Sequence, residues 1–345
     1  MDLDWLTVPA RVPDETFIQA ALARQQNLTK PPGSLGQLES LAVRFAGLQQ
    51  TAEPQLERIA IRVFAADHGV AAQGVSAFPQ SVTAQMVANF CRGGAAICVL
   101  ARKLEADFKV VNLGCTGETP EHPDLIDARI APASGDFTRG PAMSREQLAM
   151  ALNAGRDQVA GADVFLGGEM GIGNTTAAAA ILAALYQLPV AAITGRGTGI
   201  DDRVLEHKVA VIEKALVLHN LKRQSPLQLL QTLGGFEIAA LVGAYISCAQ
   251  RGVPVLVDGF ITTAAAAVAL AINPGIEPWL VYSHLSNESG HKLALDKLRA
   301  EPLLSLDMRL GEGSGAAMAA GVIRQALALH NQMATFAEAG VAGAD

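Results

Sequence analysis

Six times along this 345-residue chain, a short apolar segment runs into a turn rich in glycine or polar residues, and a helix-compatible stretch follows. The apolar segments lie at 59–66, 108–112, 162–166, 190–193, 253–257 and 279–283. Near-continuous apolar runs joined by helical crossovers predict a mostly parallel sheet covered by helices on both faces, an α/β fold. Ligands of such open sheets bind beyond the carboxyl ends of the strands. The turns expected there carry Asp67, Glu169, Arg196, Asp258, Ser286 and His291, which makes those loops the place to look for chemistry.

Two helical stretches, 13–28 and 35–50, precede any strand, and an Ala-rich helical run from Ala316 to about His330 follows the last one. The two chain ends are therefore expected to pack together. Residues 119–141, rich in Pro, Asp and Gly, predict a long loop, and Ser144 with Gln147 predicts a capping box that starts a helix. The uncharged stretch 175–194 is broken by Gln187 and Pro189 and predicts a buried helix followed by a strand, with no membrane span. Half of the residues are apolar and 33 are glycine, which suits a compact enzyme with close backbone packing. A net charge of −7 without a basic run argues against a nucleic-acid partner. Cys91, Cys98, Cys115 and Cys248 form no metal or C-x-x-C spacing and read as buried thiols in a reducing compartment. Met1 to Ala10 has no basic, apolar leader pattern, so a cytoplasmic location is expected.

Several motifs admit both a chemical and a structural reading. The segment Gly167-Gly168-Glu169-Met170-Gly171-Ile172-Gly173-Asn174-Thr175-Thr176 joins a strand to a helix. It suits a phosphate held on backbone N–H groups, or it is a tight turn. It lacks the dinucleotide fingerprint, and Gly-Lys occurs nowhere in the chain, so NAD and ATP are disfavoured and no cofactor is expected. Lys208 interrupts the apolar face of the helix after the second glycine loop, Gly195 to Gly199. It either snorkels to the helix edge or is buried toward an anion. Asp67 and His68 are functional groups or structural hydrogen bonders; no third ligand accompanies them, so no metal is expected. Glu312, set among Gly311, Gly313 and Gly315, is a capping charge or a working base.

Taken together, Lys30-Pro31-Pro32-Gly33-Ser34-Leu35-Gly36, Ala66-Asp67-His68-Gly69-Val70, the 168–176 segment, Gly195-Arg196-Gly197-Thr198-Gly199 and Arg309-Leu310-Gly311-Glu312-Gly313-Ser314-Gly315-Ala316 resemble the nicotinate-nucleotide–dimethylbenzimidazole phosphoribosyltransferase family, in its order, from about residue 13 to 330. The resemblance implies transfer of the 5-phosphoribosyl group of nicotinate mononucleotide to 5,6-dimethylbenzimidazole, for the lower ligand of cobalamin. It implies a homodimer, with a Rossmann-like domain at 56–304 and a small helical domain from 1–55 and 305–345. It makes Glu312 the general base, puts Glu169 and Lys208 in the same site, and puts Ser76 and Gln85 at the base. The residue reading adds Gly171, Gly173, Asn174 and Thr175 for the phosphate, with Lys208 or Ser286, and Phe78, Met86 and Leu310 as apolar walls. Another sugar-phosphate-utilising α/β enzyme and a non-catalytic nucleotide-binding module are the alternatives.

Overall fold

The computed structural model describes residues 3–159, 161–221 and 224–342; Asp2 and the outermost ends of the segments 1–55 and 305–345 lie outside them. Helices α1 (Glu15–Asn27) and α2 (Gln37–Gln49) come first. The sheet strands are β1 (Ile59–Ala66), β2 (Asp107–Gly114), β3 (Leu125–Asp127), β4 (Val164–Met170), β5 (Val255–Val257) and β6 (Leu280–Tyr282). Between β1 and β2 lie α3 (Ser81–Cys91) and α4 (Ala96–Leu104), and between β3 and β4 lies α5 (Arg145–Asp157). The connection from β4 to β5 holds α6 (Asn174–Tyr186), α7 (Val190–Ile193), α8 (Asp202–His219), α9 (Pro226–Leu233) and α10 (Phe236–Arg251). Then come α11 (Phe260–Ile272), α12 (His291–Leu298) and α13 (Ser314–Gln332).

The six strands are parallel, in the order β3-β2-β1-β4-β5-β6. Successive strands run outward from β1 in one direction and from β4 in the other. The carboxyl ends of β1 and β4 therefore flank the crevice where such a sheet receives its ligand. Alternation along β1 divides the core. Ala60, Phe64 and Ala66 join an apolar cluster with α5, α6, α10 and α11. Ile61, Val63 and Ala65 join another with Phe45 of α2, Val87 of α3, Ile97 of α4 and Ile323 of α13. Helices from both chain ends thus cover one sheet face and share its core.

Three features differ from the sequence reading. Residues 190–193 form a helical turn, α7, and not a strand. Pro189 precedes it, two of its four residues are alanine, and its buried residues Val190 and Ile193 are three apart, a helical spacing. The strand paired with β4 on that side is β5. The 119–141 loop contains β3, where Leu125 pairs with Val110; three residues are too few for a periodic signal. Residues 226–251, unassigned above, hold α9 and α10, and α10 packs against α5, α11 and β1. The first part of the uncharged stretch is α6, which is buried over most of its length.

Candidate active site

A cavity of about 500 Å³ opens over the carboxyl ends of β4, β5 and β6. Phe78, before α3, Val82 and Met86 of α3, and Leu310 give it apolar walls. Its charged lining consists of four carboxylates, Glu169, Asp258, Glu288 and Glu312, and one guanidinium, Arg309.

Glu312 is held in an uncommon backbone state. Its φ is 64°, between Gly311 at 87° and Gly313 at 85°, so three consecutive residues lie in the left-handed region. Gly168 in β4 lets this turn rest on the sheet, because a Cβ there would collide with the Glu312 carbonyl oxygen. The Glu312 side chain is buried, and its Oε2 has no hydrogen-bond partner. Burial pushes its pKa up to about 7; the Ile97 amide at the start of α4 opposes this and Asp258 adds to it.

Glu169, near the end of β4, is raised further, to about 8, by burial first and then by Glu237, Asp258 and Glu312, against a hydrogen bond from Asn174 Nδ2. Asp258, just past β5, is raised to about 6 by burial, against hydrogen bonds from the amides of Ala316, Gly313 and Gly315. The site therefore concentrates acidic groups that resist losing their protons.

Residues 171–175 turn from β4 into α6, with Gly173 at φ 101°. Gly171, Asn174 and Thr175 line the cavity; Gly173 lies behind them against His68 and Ala71. Lys208 is buried and does not snorkel. Its Nζ donates to Thr175 Oγ1 at 2.8 Å and to the Gly195 carbonyl at 3.1 Å. Burial lowers its pKa to about 8, against the pull of Glu288. Lys208 thus meets the cavity through Thr175. Ser286 lines the cavity, and its amide donates to His291 Nδ1 at 2.8 Å. Burial lowers the His291 pKa to about 3, so the ring is neutral and Nε2 carries the proton donated to Thr263 Oγ1 at 2.9 Å.

Ser76 stands at the rim, where its hydroxyl lies 3.2 Å from Thr198 Oγ1. Gln85 is exposed on α3 and is not part of the lining. Arg196 pairs with Asp202 outside the lining. Asp67 and His68 lie outside the lining and are tied into buried hydrogen bonds. Asp67 accepts from Thr83 Oγ1 at 2.6 Å and from the Thr116 amide at 2.8 Å, and His68 Nε2 lies 2.5 Å from Glu237 Oε1. Sequence reasoning gave no role to Glu288, His284 or Arg309. Glu288 follows Ser286 in the turn after β6, and its carboxylate accepts from the Gly197 amide at 3.0 Å. A polar residue at a strand's carboxyl end was the available signal. Among the described residues, no three His, Cys, Asp or Glu side chains group to hold a metal ion.

Residues 10–341 match the model of a phosphoribosyltransferase family. The chain is 57% identical, over all of both chains, to the nicotinate-nucleotide–dimethylbenzimidazole phosphoribosyltransferase of Xanthomonas euvesicatoria pv. vesicatoria. It is 54% identical, over 99% of each chain, to the protein of that name from Pseudomonas fluorescens. Its structure is similar to the crystal structure of CobT from Thermus thermophilus, with a TM-score of 0.91 and 44% identity over 95% of this chain and 100% of that one.

Proposed function

The chain belongs to the phosphoribosyltransferase family whose members above are named for nicotinate nucleotide and dimethylbenzimidazole, and from that premise we propose how its residues carry the reaction. The enzyme is a pentosyltransferase. It moves the 5-phosphoribosyl group of nicotinate mononucleotide to 5,6-dimethylbenzimidazole, giving α-ribazole 5′-phosphate and nicotinate, for the lower ligand of cobalamin.

The ribose C1′ begins bonded to a pyridinium nitrogen, which becomes neutral as the C–N bond breaks, so the leaving group needs no acid. Benzimidazole attacks from the opposite face, inverting β to α. The new bond makes its ring cationic and its other N–H acidic. In our reading Glu312 accepts that proton and orients the attacking nitrogen. The observation that carries this role is the buried, unpartnered Oε2 of Glu312 beside the apolar wall of Phe78, Met86 and Leu310. A base pKa of about 7 lies near the operating pH, where general-base catalysis is most efficient. Such a base contributes about 10²–10⁴-fold, and holding the two substrates in line contributes up to roughly 7–11 kcal/mol.

Glu169 would meet a ribose hydroxyl; its raised pKa leaves it largely uncharged near pH 7, which disfavours the alternative of meeting the positive charge that develops on the sugar. The α6 start, with Gly171, Asn174 and Thr175, would take the phosphate, backed by Lys208 and Ser286. Ser76 and Gln85 remain assigned to the base on the strength of the resemblance, Ser76 from the rim. We further propose a cytoplasmic homodimer, supported by the resemblance and the reduced-thiol composition.

Incubating the protein with nicotinate mononucleotide and dimethylbenzimidazole, followed by chromatography, tests the reading. Free nicotinate and an α-linked riboside are expected in equal amounts. Binding of both compounds without nicotinate release would reduce the chain to a binding module.

A further inference from the structure

Helix α13 begins two residues after Glu312, and its N-cap residue, Gly313, has no side chain to satisfy its first amides. Unpaired N–H groups in the first turn of a helix require an acceptor from elsewhere. Asp258, across the cavity floor at the end of β5, supplies it. Its Oδ1 accepts from the Ala316 amide at 2.8 Å, and the amides of Gly313 and Gly315 also reach its carboxylate. The close approach depends on Gly315, where a Cβ would collide with the His284 ring. His284 Nε2 stands 3.8 Å from Asp258 Oδ1. Asp258 thus touches both His284, just past β6, and the turn that carries Glu312.

We propose that Asp258 is a positioning residue for the transfer, a cap supplied by a neighbouring strand that fixes the left-handed Gly311–Gly313 turn and sets the charge facing Glu312. The inference rests on the reading of Glu312 as the base. A tied-down first turn leaves Glu312 little freedom to swing, and a misplacement of about 1 Å can cost about 10²-fold in rate. Asp258 also faces Glu312 as a like charge, so it opposes ionisation of the base. The other groups around the pair are Glu169 on β4, Cys98 on α4, Tyr245 on α10, His284 and Arg309.

The two effects separate in two variants. Asp258→Ala removes both cap and charge, and kcat should fall by about 100-fold. Asp258→Asn keeps one acceptor oxygen for the Ala316 amide but loses the charge. Its kcat should fall less than that of the alanine variant. Its acid limb of kcat/KM for dimethylbenzimidazole, at saturating nucleotide, should move to lower pH. The substrates' own titrations are common to wild type and variant, so the displacement belongs to the enzyme. A purely structural Asp258 would lower thermal stability and leave that limb in place, which would overturn the proposal. The asparagine variant keeps the test valid if the alanine variant fails to fold. Glu312→Gln, run in parallel, tells the two failures apart. Full turnover there removes the base assignment and this inference with it. A large loss there beside an unmoved Asp258→Asn limb removes this inference alone.

Discussion

At the scale of single residues, the site is an accumulation of carboxyl groups that the fold makes reluctant to ionise. Glu169 is the extreme case: its folded pKa lies near 8, against an ordinary value of 4.5. A raised folded pKa means that the folded protein binds the proton more tightly than the unfolded chain does. Stability from this position is therefore complete below about pH 4.5 and is lost as pH rises through about 8. Glu169→Gln cannot ionise and can still accept from Asn174. Its melting temperature should match wild type near pH 4 and exceed it near pH 8, by a margin worth about 1 kcal/mol or more. Equal differences at both pH values would contradict the burial argument. Glu312 stood out in the sequence because three glycines around one acid mark a backbone state that few other residues adopt. Glu288 and Arg309 neighbour Ser286 and Glu312 in sequence but did not stand out, since a charged residue in a loop is ordinarily solvent-exposed.

Among the elements, the start of α6 and the middle of α8 act together. Lys208 enters from α8, and its ammonium is held by Thr175 of α6 and the Gly195 carbonyl. The cation thereby backs a helix start that already favours an anion. Lys208→Met should raise the KM for nicotinate mononucleotide by about 10-fold or more, the scale of a hydrogen bond to a charged group, and leave the KM for dimethylbenzimidazole nearly unchanged. Equal rises for both substrates would show that the lysine supports the whole site and not the nucleotide half. The helix and the interruption of its apolar seam by Lys208 were both legible in sequence. Burial was not, because a lysine on an apolar face commonly reaches water along its own stem. Short elements were harder still. Residues 190–193 are too few for the spacing of Val190 and Ile193 to be recognised before their burial is known, and β3 is only three residues long.

For the molecule as a whole, the alternation of apolar runs and helices was enough to foresee a parallel sheet with its chemistry at one edge. It did not reveal the strand order. That order depends on which strands find partners, and it places β1 beside β4 although β2 and β3 lie between them in the chain. Nor did local pattern reveal that α2 and α13 share a core with the sheet, since Phe45 and Ile323 join the same apolar cluster as Val63 only in three dimensions. That packing brings Glu312, from the C-terminal part of the chain, down onto Gly168 in β4 and so completes the site. The most direct test of the account is the turnover of Glu312→Gln with both substrates, measured beside its affinity for nicotinate mononucleotide. A folded variant that binds the nucleotide as wild type does but turns over about 10²–10⁴-fold more slowly is the predicted result. Turnover at the wild-type rate would contradict it.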